Sequence, residues 1–246
     1  MYEEFARQAR QFGYQVSPLK AIDTPAARAY TDELYHAADR QIRGVRLWSL
    51  PIAGLLATGD LVLFVVVLGA LPVWGFPILA VSGGALIVAL AALTSPGPEN
   101  FVKPARELLS AQPWQVWPAR LEDLSREDRE AVAGAGVSTV HHPTAQVRRD
   151  ARLHRLVLLA PDGTAVRTYG VHLPRDARDG FVDGIGAVWV CGDLRDAILV
   201  AEPGARRYWQ AKPVAFPTRP HSQEDPGTVD AVATEAGRVA LQVWLG

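Results

Sequence analysis

An apolar block from Leu47 to Thr94 constrains this chain more than any other feature, because it holds a single charge, Asp60, and is cut near its middle by Leu71-Pro72 and Phe76-Pro77. A membrane-spanning helix needs about 20 mostly apolar residues, and the halves 47–71 and 73–93 each reach that length. One helix through the whole block would carry Pro72 and Pro77 in its interior, at a cost of roughly 3 kcal/mol each. The block therefore predicts a membrane α-helical hairpin of two spans. One span beside a buried or interfacial segment is the alternative, since residues 50–60 are rich in Gly and Ala.

Basic residues favour the cytoplasmic side of a span. Arg40, Arg43 and Arg46 precede the first span, Lys103 and Arg106 follow the second, and the turn between them carries no charge. The expected location is the inner (plasma) membrane with both termini cytoplasmic, Trp48 and Trp74 acting as interface anchors. The acidic start Met1-Tyr2-Glu3-Glu4 does not read as a signal peptide. A lone cysteine, Cys191, cannot build an internal disulfide framework.

The hairpin divides the chain into four parts: a juxtamembrane helical segment over 1–46, the spans over 47–94, a linker over 95–112 opened by Ser95-Pro96-Gly97-Pro98, and a cytoplasmic β-rich domain over 113–246. In the first, Thr24-Pro25 is a helix start, and Tyr30, Leu34, Ala38, Ile42 and Val45 follow as one apolar stripe. Such a stripe docks a partner, lies on lipid headgroups, or packs on the protein's own domain. In the fourth, Trp114 to Leu121 reads as a strand and Ser125 to Ala133 as a short helix capped by Ser125. Leu153 to Ala160 and Thr164 to Leu173 flank Pro161-Asp162-Gly163, a hairpin signal because Gly supplies the positive φ of the turn. Further strands are expected over 187–191, 197–201 and 207–214, and a final helix over 228–244. Short, closely spaced strands imply an antiparallel meander closing into a small barrel or sandwich. The expected fold class is thus a two-span hairpin plus a small α+β domain.

The runs Pro113-Trp114-Gln115-Val116-Trp117-Pro118-Ala119-Arg120, Ala160-Pro161-Asp162-Gly163-Thr164 and Val188-Trp189-Val190-Cys191-Gly192-Asp193-Leu194-Arg195 resemble segments of two-span membrane proteins of actinobacteria. The resemblance implies a membrane protein with a cytoplasmic β domain and carries no activity, cofactor or catalytic residue.

Asp60 falls near the centre of the first expected span, where an ionisable side chain costs about 2.5 to 3.5 kcal/mol on insertion scales. Folding the hairpin at Pro72 brings it level with Ser82, Gly83 and Gly84; Ser82 can hydrogen-bond a carboxyl, and Gly54, Gly59, Gly83 and Gly84 allow close helix packing. Asp60 and Ser82 are the candidate intramembrane polar site. Elsewhere the signals are weak. His141 and His142 are adjacent and lack metal-ligand spacing, Gly184-Ile185-Gly186 lacks the third glycine of a dinucleotide site, and the net charge of −1 disfavours nucleic-acid binding. No catalytic, metal or cofactor constellation stands out. The candidate partner surface comprises Tyr30, Leu34, Ile42, Arg206, Arg207, Tyr208 and Trp209; the aromatics Trp114, Trp117, Trp189, Tyr208 and Trp209 line a groove or fill a core. The expected role is a membrane-anchored accessory or scaffold subunit, its partners the lipid bilayer and a protein, a second copy included. The alternative is an oligomeric channel or transport subunit centred on Asp60.

Overall fold

In the computed structural model the described residues are 2–44, 47, 97–134, 152–216 and 223–245. They fall into two compact units: residues 1–34 with 102–246, and residues 35–101. Of the second, only parts of two helices are described.

The first unit is built on seven antiparallel strands: β1 (Val16–Lys20), β2 (Pro113–Asp123), β3 (Arg152–Leu159), β4 (Ala165–Leu173), β5 (Ile185–Cys191), β6 (Ile198–Ala201) and β7 (Tyr208–Pro213). Neighbours run β1-β2-β3-β4-β7-β6-β5, and β5 returns to pair with β2. Six strands therefore close into a barrel, and β1 adds a seventh outside the ring. The 11-residue β2 makes this possible by serving different neighbours along its length. Its middle, Gln115 to Arg120, pairs with β5, and its end, Ala119 to Asp123, pairs with β3.

Strand alternation separates two cores. Trp117, Leu156, Leu158, Tyr169, Val171, Val188, Val190, Ile198, Val200 and Trp209 share the barrel interior. The residues between them on the strands, including Trp114, Val116, Trp189, Leu199 and Tyr208, face outward and are covered by helices. The helices are α1 (Tyr2–Gln11), α2 over 25–44, α3 (Pro98–Ala111), α4 (Arg126–Gly134), α5 (Arg175–Arg178) and α6 (Pro226–Leu245), of which α2, α3 and α6 cover that outer face while Ala9 of α1 and Ala177 of α5 join the inner core. Tyr30 of α2, Leu109 of α3, and Ala236, Ala240 and Trp244 of α6 complete the outer core. The chain after α1, at Phe12 and Tyr14, packs on Trp117 and closes one end of the ring.

Local chemistry explains the clearest elements. At the β3–β4 turn Gly163 has φ +80°, and the Thr164 hydroxyl and amide donate to Asp162 Oδ1 at 2.7 and 3.0 Å. Helix α4 begins with a reciprocal cap, Asp128 N–H donating to Ser125 Oγ at 3.2 Å and Ser125 N–H to Asp128 Oδ2 at 2.9 Å. Asp225 caps α6 through the Thr228 amide at 2.9 Å.

No helix among the described residues is long and apolar enough to cross a membrane. Even the 20-residue α6 interrupts its apolar positions with Asp230, Glu235 and Arg238 and buries one stripe, as a helix lying on a barrel does. This corrects the expected fold class. The described chain is a closed antiparallel barrel with an extra strand and flanking helices, not a membrane-spanning hairpin bearing a small domain. The inner-membrane location with both termini cytoplasmic, and the membrane and transmembrane character behind it, are corrected with it. Apart from Leu47, the residues assigned to the spans, with Trp48, Gly54, Gly59, Asp60, Trp74, Ser82, Gly83 and Gly84, lie outside the described residues.

Candidate functional site

The barrel end opposite Tyr14 is where β4 and β6 finish and β5 and β7 begin. A cavity of about 520 Å³ opens there, within the range usual for small-ligand sites. Its floor is apolar, made by Leu173, Val188, Val200 and Trp209 from four different strands, and Ala177 of α5 and Phe181 form one wall. Phe181 is set by the turn after α5, whose amide donates to the Arg178 carbonyl at 2.9 Å. The loop lies tightly on β5, because a Cβ at Gly186 would sit 2.9 Å from both the Gly180 carbonyl oxygen and the Phe181 ring.

The rim is charged. Arg207 donates from all three guanidinium nitrogens: Nη1 to Asp176 Oδ2 at 2.5 Å, Nε to Glu202 Oε1 at 3.2 Å and Nη2 to Glu202 Oε2 at 2.9 Å. The remaining oxygen, Asp176 Oδ1, accepts the Ala177 amide at 3.0 Å. All four carboxylate oxygens are thereby in use. The Arg207 hydrogen bond is the main reason the Asp176 carboxyl is held below its ordinary range, and Glu202 foremost holds the Arg207 guanidinium above its own. The guanidinium also lies 5.6 Å from the Trp209 ring centroid, within cation–π reach. A tight turn aims this pair: the Ala205 amide donates to the Glu202 carbonyl at 2.9 Å, with Ala205 at φ 52°, a conformation that a residue with a side chain rarely adopts. Arg206 follows at the cavity edge, exposed, and has no hydrogen bond or ion pair among the described residues.

Beneath the same end, His154 points inward from the start of β3, its Nδ1 lying 3.3 Å from Asp123 Oδ1. Burial, then the Arg178 charge of α5, push its pKa below the ordinary value.

The expected partner surface divides. Arg206, Arg207 and Trp209 line the cavity, whereas Tyr30 and Tyr208 are core residues, their rings edge-to-face at 5.0 Å. Thr31 Oγ1 and the Tyr208 hydroxyl are 3.0 Å apart, and burial raises Tyr208 to about 12. Leu34 packs against the outer core, and Ile42 is half-buried. Trp114, Trp117 and Trp189 are fully buried. Cys191 is buried too, its thiol pushed up by desolvation. His141 and His142 lie outside the described residues. Among the described residues no group of three or more His, Cys, Asp or Glu is placed to hold a metal. Asp176, Phe181 and Glu202 carried no sequence signal for a site, and Gly186 stood out only in the Gly184-Ile185-Gly186 run, since each matters through a tertiary neighbour that no local pattern announces.

No protein family, curated protein or solved structure matches this chain.

Proposed function

We propose that the chain is a binding protein, an accessory or scaffold subunit whose barrel receives an apolar group of its ligand at the end carrying α5. The observation that carries this reading is the cavity floor: apolar side chains from four strands converge there under a rim of fixed polar groups, the composition by which small-molecule pockets bind and orient a guest.

The test is amide NMR of the full chain titrated with decanol, a neutral apolar probe. Shifts confined to Leu173, Phe181, Val188, Val200 and Trp209 are expected, with Tyr14 and Leu194 at the other end unmoved. Shifts at the Tyr14 end, or none, would overturn the reading.

A further inference from the structure

From the bookkeeping of charge at this rim, we infer that the ligand is an amphipathic anion, a single apolar chain ending in a carboxylate or similar acid, with Arg206 as the residue that binds its head. The inference rests on the binding reading above and adds the chemistry of the guest. Four charged side chains border the cavity: Asp176, Glu202, Arg206 and Arg207. Three of them form a closed set, because Arg207 uses every guanidinium nitrogen on the two acids and the fourth acid oxygen takes a backbone amide. A cationic guest would meet carboxylates whose charge Arg207 already offsets, with Arg206 beside them as a like charge, and so gains little at this rim. An anion meets a charge not yet offset, since the exposed Arg206 has no partner among the described residues.

Geometry sets where each part goes. Trp209 and Val200 face the barrel interior, while Arg206 precedes the strand that carries Trp209 and stands at the edge. A chain lying on Trp209 therefore brings its end group out beside Arg206. Arg207, pinned over the Trp209 ring, serves as rigid wall rather than as ligand donor. An arginine presents a planar fork suited to a two-oxygen acid.

The experiment compares decanoate, decanol and decyltrimethylammonium on the full chain, by calorimetry and by amide NMR. Decanoate is expected to bind roughly two- to fivefold more tightly than decanol, the gain of one exposed ion pair, and the cation more weakly than either. Arg206→Gln should close the gap between decanoate and decanol, and Arg175→Gln, on α5 but not lining the cavity, should leave it open. If decanol binds at the mouth and decanoate gains nothing, or if Arg206→Gln leaves the gap intact, the head-group assignment is wrong while the binding reading stands. If none of the three shifts the mouth residues, both fall.

Discussion

Gly186 and Phe181 meet so closely that no side chain fits between them: a Cβ on Gly186 would lie 2.9 Å from Phe181 Cδ1. This contact seats the loop that walls the cavity, so the shape of the candidate site depends on a residue without a side chain. Gly186→Ala should push the loop outward and destabilise the protein by about 1 to 3 kcal/mol, the usual cost of overpacking. Urea denaturation measures the loss. Faster hydrogen exchange at Phe181 and Ile185, with Tyr169 unchanged, would locate it to the loop, and a global change would contradict the seating role.

On the outer face, Glu122 is shared by two arginines. Arg120 Nε lies 2.7 Å from Oε1 and Arg155 Nε 3.4 Å from Oε2; Arg120 also pairs with Glu224, and Arg155 lies under the Phe216 ring at 4.9 Å. The Arg155 side chain is only 3% exposed. Removing one partner of a buried pair leaves a charge poorly compensated, at a cost of about 3 to 5 kcal/mol. Glu122→Gln should approach the lower end of that range in chemical denaturation, while Glu235→Gln, whose pair with Arg238 is exposed, should change stability by under about 1 kcal/mol.

The buried His154 and the half-buried His172 give stability a pH dependence with a defined sign. Burial lowers both His154 and His172 below the ordinary 6.5, so between that value and their folded pKa the unfolded chain binds more protons than the native one. Stability must then fall as pH drops below about 6.5. Melting curves between pH 8 and pH 5 should show it, and His154→Gln should flatten the slope. A second loss follows at lower pH, where Asp193, held down to about 2 mainly by its hydrogen bonds with Arg195, takes up a proton. An unchanged slope in His154→Gln would remove that residue from the account.

Cys191 is a reporter of global opening. It is fully buried behind α3, its Sγ within 3.5 Å of the Leu108 carbonyl oxygen, and a thiol in that setting is slow to form the reactive thiolate. A thiol reagent should label the native chain at the rate of unfolding and the denatured chain at once. Rapid labelling of folded protein would show that α3 detaches from the barrel.

What the sequence disclosed follows the range of the interaction. The β3–β4 hairpin, the Ser125 cap and the final helix are set by residues a few positions apart, and each was legible. A small closed barrel was among the expected outcomes, but the strand order that closes it was not legible, because alternation tells which face a residue takes and says nothing of which strand lies beside it. The short strand β1 left no pattern that separates it from a polar segment, whereas helix α1 does carry one, Tyr2, Phe5 and Ala9 at helical spacing continued by Phe12, that is easily passed over in a charged stretch. At the site, Arg206, Arg207 and Trp209 stood out as a basic and aromatic cluster, yet the division of labour between the arginines depends on Asp176 and Glu202, which fold against Arg207. The Tyr30 stripe shows the opposite ambiguity: an apolar helix face reads alike whether it awaits a partner or meets Tyr208 of the same chain.

The double duty of β2 also sets an order of events for folding. The β3–β4 hairpin can form from its own residues, but β2 cannot complete the ring until β5, far along the chain, has been made and brought to Gln115 through Arg120. Closing so long a loop before its contacts reward it is slow. Until then β2 stands with unpaired backbone along one side, the condition under which strands of different chains join. Folding rate and aggregation should accordingly respond most to changes at the β2–β5 seam, with the hairpin as the early structure and the seam as the late one.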